Sequence, residues 1–258
     1  MWRLAAWGGV AGPVLFTAAW VISSLRQAGH SPVEVQLSGL AADDATDPHI
    51  MMTGFVVLGA CSVAFGAALA RRVAPRSPGP WLVMAGGVAA VAAGVLRRDH
   101  MLLTGPGFAG ESWHNQVHDV ASAFAYVAML AAPLALERRF RSDPQWAVLS
   151  RPVRGLALAS AIFLALFMSH TVEPWNGAVQ RAAVTLGLAA EVALAARMLT
   201  PRAGSRASLP AQAVLRPARS RPAAATDRCT ADASTCRDDG HPAGVAPGVS
   251  RSERVGGG

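Results

Sequence analysis

Six long apolar runs separated by short polar segments dominate the chain. They cover residues 4–25, 50–70, 80–96, 113–136, 153–170 and 178–199. A hydrocarbon core about 30 Å thick is crossed by roughly 20 residues of α-helix. Lipid offers no water to backbone N–H and C=O groups, so runs of this length predict helices rather than strands. The expected fold is all-α: a polytopic membrane helix bundle with six transmembrane helices over residues 1–200. The first run is too long for the apolar part of a signal peptide, and no A-x-A-like cleavage site follows it, so a retained helix is expected. Residues 201–258 break the pattern. They contain no Phe, Trp or Tyr and are rich in Arg, Pro and Ala. Such a segment buries too little apolar surface to offset the entropy of ordering, which predicts a disordered tail.

Composition sharpens this picture. Of 258 residues, 52% are hydrophobic and 15% are charged, against roughly 25% charged in soluble domains. All 23 basic residues are arginine, and the net charge is +7. That balance would suit a nucleic-acid partner if the arginines formed a patch. Here they lie in short loops and the tail between apolar runs, so no nucleic-acid partner is expected; membrane lipids are. Nineteen arginines fall on one face of the expected bundle and four on the other: Arg26, Arg97, Arg98 and Arg181. Positive-inside counting therefore predicts a multi-pass protein of the plasma membrane with both termini cytoplasmic. Trp2, Trp7, Trp81 and Trp146 map near the inner helix ends, and Trp20, Trp113 and Trp175 near the outer ones, as interfacial belts do. The sequence sets no oligomeric state.

The outer face carries a different chemistry. Six of the seven histidines map there: His30, His49, His100, His114, His118 and His170. So do Asp43, Asp44, Asp47, Asp99, Glu111, Asp119 and Glu173. In "ESWHNQVHDVASAFAYVAML" (111–130), His114 and His118 stand one turn apart on one helix face. Neutral imidazoles in that arrangement are able to share a divalent metal such as Zn. The third ligand would come from His170, His49, His100 or Asp99, and the set His114, His118 and His170 is the leading one. The competing expectation is a metal-free polar cluster joining the outer helix ends, built from Asp99, His100, Trp113, His114, His118, Asp119, His170, Gln180 and Arg181. Asp119 is placed to bond Asn115 or a neighbouring helix, and Arg181 to pair with Asp99, Asp119 or Glu173. Glu191 stands apart, about two turns from the inner end of the sixth helix. An ionisable residue at that depth is a functional candidate, against snorkelling or a protonated carboxyl bonding a neighbouring helix.

Other motifs carry less. "GPGFAG" at 105–110 fits G-x-G-x-x-G but follows no strand, so it reads as a turn and not a dinucleotide loop. Gly8-x-x-x-Gly12 and Ser62-x-x-x-Gly66 allow close helix approach. Pro13 and Pro133 mark possible kinks. Cys229, Cys236 and His241 match no zinc spacing, and Cys61 reads as a small packing residue.

With the helices placed, the order of short motifs resembles a bacterial six-helix membrane family known as DUF998. The resemblance rests on Gly12-Pro13, His30-Ser31-Pro32, Gln36-Leu37-Ser38, Gly54 and Gly59. It continues with "LRRDH" containing Asp99, Trp113-His114 with His118, and Gln180-Arg181. It covers about residues 1–200. Relatives more often carry Pro before the Asp, where this chain has Arg98. The resemblance implies six helices and a membrane location and no established activity. Three functional classes stay open. One is an outward-facing polar pocket for a lipid or small ligand. The second is a metal-dependent hydrolase at the outer leaflet, with Asp119 or Glu173 as general base. The third is a small-solute transporter using Glu191, although no inverted repeat or broken helix is evident.

Overall fold

The computed structural model describes residues 1–101, 112–169 and 171–200. Its helices are α1 (Trp2–Arg26), α2 (Pro48–Arg72), α3 (Gly79–Val95), α4 (Trp113–Phe140), α5 (Ala147–Met168) and α6 (Asn176–Leu199). A short 3₁₀ turn, Leu37–Ala41, lies in the α1–α2 connection. The chain is thus an all-α polytopic helix bundle, and among the described residues five helices are long and apolar enough to cross a membrane. α3 is the shortest, at 17 residues. Large apolar side chains project outward all along the helices, including Leu4, Val14, Val88, Val120, Val127 and Ile162. Side chains of this kind are stable on the outside only when the surrounding solvent is itself apolar.

Consecutive helices pack side by side, and α6 returns to pack on both α5 and α1, closing a ring. The closest approach is between α2 and α3. A Cβ added to Gly59 would sit 2.3 Å from the Gly87 carbonyl oxygen, and one on Gly87 would sit 2.6 Å from that of Gly59. Neither position has room for a side chain, so the two backbones touch, as small residues permit. Gly8 and Gly12 of α1 meet Cys61 of α2 in the same manner.

Local signals set the helix ends. Pro48 opens α2 behind Asp47, the position where its missing N–H costs nothing. Ser112 caps α4 by accepting from the Asn115 amide. Arg71 and Arg72 close α2, and Arg138 and Arg139 close α4, where the helix dipole favours cations. Two boundaries differ from the hydropathy reading. α5 begins at Ala147 and takes in Arg151 and Pro152, while α4 runs on to Phe140. Polar residues stop an apolar window but not a helix, because arginine stems lie along it with their heads in water. Phe140, fully buried, stacks on Trp146 at 4.8 Å between centroids and ties this extension to the bundle.

The ring has two chemically different ends. The arginine end holds Met1, the α2–α3 and α4–α5 turns and the close of α6. A core of Phe65, Leu69, Leu136, Phe140, Val153 and Leu194 fills it. The histidine end holds the other three connections. Its core joins Phe16, Met51, Val184 and Leu188 to Leu37 and Leu40 of the α1–α2 connection. That connection is therefore not a surface loop: residues 35–42 are buried throughout.

Candidate functional site

The buried α1–α2 connection is held by the first turns of α6. Gln180 accepts from the Leu37 amide at 2.6 Å through its side-chain oxygen. Its nitrogen donates to the Tyr126 hydroxyl of α4 at 2.7 Å. Arg181 donates to the carbonyls of Pro32 at 2.7 Å and Val35 at 2.6 Å. Its guanidinium lies 5.4 Å from the centre of the Trp20 ring, a cation–π distance. The Ala178 amide adds a bond to Val33. Gly177 is where the loop presses closest, since a Cβ there would meet the Val35 carbonyl oxygen at 2.4 Å. The carboxylate partners expected for Arg181 are replaced by backbone carbonyls. A folded-in loop presents such carbonyls, and a hydropathy profile does not show them. His30, in the same connection, is held below the ordinary histidine range by burial and by the nearby Arg181 charge.

A second network joins α3 to α4, and Arg98 is its hub. Arg98 is 4% exposed. It donates to Ser38 at 3.2 Å and to Asn115 at 3.4 Å, and lies 3.8 Å from the Asp119 carboxylate. Asn115 also accepts from the Asp99 amide and donates to Asp119. Asp99 takes both the amide and the hydroxyl of Ser112, at 2.7 and 2.6 Å. Those two donors hold its carboxyl below the usual range, with lesser help from His114 and His100. His114 Nδ1 lies 2.8 Å from Ser112 Oγ and 3.2 Å from the Arg97 carbonyl; a carbonyl only accepts, so Nδ1 carries the proton. The hub role of Arg98 is what sequence reasoning missed, having counted it among four outward arginines and as a departure from the family pattern.

His118 is fully buried, with Nδ1 at 2.8 Å from the Ala93 carbonyl and 2.9 Å from that of Leu96. Among the described residues its Nε2 has no hydrogen-bond partner, and Phe55 packs perpendicular to its ring. His114 and His118 thus serve different places: one joins the Ser112–Asp99 cap, the other clamps the last turn of α3. Among the described residues, no three His, Cys, Asp or Glu side chains come together to hold a metal ion. His100 stands 3.8 Å from Asp44, and His49 and Trp113 are exposed. Glu173 lies beyond the end of α5, 3.4 Å from the Asn176 side chain. His170, Glu111, the 105–110 motif and the tail cysteines with His241 lie outside the described residues.

Beneath these networks the bundle encloses a partly open cavity of about 100 Å3. Leu37 and Tyr126 line its upper part, and Ser62 and Glu191 are its deepest polar groups. The wall between is apolar and includes Phe16, Phe55, Phe65, Met129 and Leu188. Ser62 donates to Glu191 at 2.9 Å. Ser122 and Tyr126, one turn apart on α4, complete the polar lining of the cavity. Tyr126 is the chain's one tyrosine.

Comparison with known proteins adds one result. Residues 10–197 match the family model described as "Protein of unknown function (DUF998)". Searches of the curated proteins and of the solved structures return no match.

Proposed function

The chain belongs to the DUF998 family and is an integral membrane protein; from that premise we propose that it binds a small, largely apolar ligand in the cavity beneath the histidine end. In this reading the protein lies in the plasma membrane with both termini cytoplasmic, and the polar cluster serves as a lid and not as the site itself. The observation that carries it is the contrast between the two places. The cluster residues spend their hydrogen bonds on one another and on backbone, whereas the cavity leaves apolar wall and a carboxylate facing empty space. Concave, mostly apolar pockets with a few polar groups are the usual ligand sites. Benzene fits a cavity of about 150 Å3, so about 100 Å3 suits a chain of about four carbons or the end of a longer one entering through the open side.

Transport would use the same cavity but needs an exit past Glu191 toward the arginine end. Phe65, Leu69, Leu136 and Phe140 fill that route without measurable exposure, which favours binding. The test uses protein in lipid nanodiscs with ¹³C-methyl methionine, because the Met129 methyl lines the cavity. Saturable displacement of its resonance by n-butanol is expected in the wild type and absent in Ala125→Leu, which fills the wall. Identical responses in the two proteins would remove the reading.

A further inference from the structure

Among the described residues, Glu191 is the one acid lining this cavity, and no cationic side chain lines it. Ser62 supplies a single hydrogen bond, and among the described residues no cationic side chain lies within ion-pair distance. The chain contains no lysine. The two arginines of the same helix are committed elsewhere: Arg181 to the Pro32 and Val35 carbonyls, Arg197 to the Gln145 carbonyl. A carboxylate accepts about four hydrogen bonds, so Ser62 leaves most of its capacity unused. Glu191 retains accessible surface, and the cavity is the space it lines. Phe16, Phe55 and Phe65 bring three aromatic rings to the same walls.

Resting on the ligand-binding reading above, we infer that the cavity selects a lipophilic ammonium compound, its alkyl body among the phenylalanines and its charged nitrogen against Glu191. An ammonium group supplies the three donors and the positive charge that the protein withholds. In a low-dielectric cavity an unpaired carboxylate is costly, and a well-placed cation offsets much of that cost. A purely structural Ser62–Glu191 bond makes the opposite forecast, because it gains nothing from a cation.

The probes are n-butylammonium and n-butanol, matched in length and titrated against the Met129 methyl resonance in nanodiscs. The wild type should bind the ammonium about tenfold more tightly than the alcohol. In Glu191→Gln, which keeps size and the bond to Ser62, ammonium affinity should fall to that of the alcohol while alcohol binding stays unchanged. Alcohol binding also reports that the variant is folded. Equal affinities of the two probes in the wild type, read without any variant, overturn the inference and leave the ligand-binding reading intact. No saturable response to either probe removes both.

Discussion

Gln180→Leu isolates the joint between the α1–α2 connection and the bundle. Leucine has nearly the volume of glutamine but can neither accept from the Leu37 amide nor donate to Tyr126. Leu37 is 2% exposed and Gln180 is 2% exposed, so water cannot replace the lost partners without opening the packing. A buried donor left without an acceptor costs about 1–3 kcal/mol. The lost bond to Tyr126 adds about 0.6 kcal/mol, the average for side-chain bonds between membrane helices. Together these give a loss of about 1.6–3.6 kcal/mol. Tyr126→Phe removes only the second bond; it leaves the buried Gln180 side-chain N–H without its acceptor, so it should cost about 1–3 kcal/mol while sparing the Leu37 amide. Reversible unfolding in mixed micelles measures both variants, and hydrogen exchange at the Leu37 amide reports the joint directly. That amide should lose protection in Gln180→Leu and keep it in Tyr126→Phe. A Gln180→Leu protein within about 0.5 kcal/mol of wild type, with Leu37 still protected, would show that the connection holds without α6.

Three further outcomes are expected. The pKa of His30 is lowered on folding, so the unfolded chain takes up its proton first; stability should decline as the pH falls below about 6.5 and the slope between pH 7 and 5 should flatten in His30→Gln, as thermal unfolding at stepped pH would reveal. Gly87→Val places methyl groups where the Gly59 carbonyl already lies; prying α2 from α3 should cost at least about 1–3 kcal/mol, read as a lower midpoint or loss of monodisperse protein. Purified wild type and a His114→Ala/His118→Ala protein should contain equal, negligible metal by elemental analysis, because the two imidazoles serve separate hydrogen-bonded places; stoichiometric metal lost only from the double variant would restore the metal centre.

Hydropathy made the six helices legible because lipid imposes one requirement on all of them: every backbone group bonded within its own helix and every outward side chain apolar. It made their ends less legible. Arg151 sits within α5, and a window that stops at charge stops too early. The site was legible by composition and not by pairing. Asp99, Asn115 and Asp119 do gather at one end, but the partners of Arg181 are carbonyls of Pro32 and Val35, and every residue type carries a carbonyl. Which of them turns inward depends on a loop path that no periodicity encodes. Arg98 was hidden for a related reason: the inside–outside count treats all outward arginines alike, whereas this one is buried by Ser38, Asn115 and Asp119. Glu191 was visible as an acid at depth, but Ser62 as its partner was not, because the two stand 129 residues apart and meet only when the ring closes.

The closing of that ring imposes an order on how the protein is made. The connection following the first helix waits for Gln180 and Arg181, which lie 143 to 149 residues further along the chain. Until the last helix enters the membrane, the Leu37 amide and the Pro32 and Val35 carbonyls have no partners, and the cavity has no side bearing Glu191. The earliest hairpin to be synthesised is thus the last to be finished. A chain halted before Asn176 should expose residues 27–47 to proteolysis that the completed protein resists. Insertion of α6 thus supplies the partners of the first connection and the Glu191 side of the cavity together.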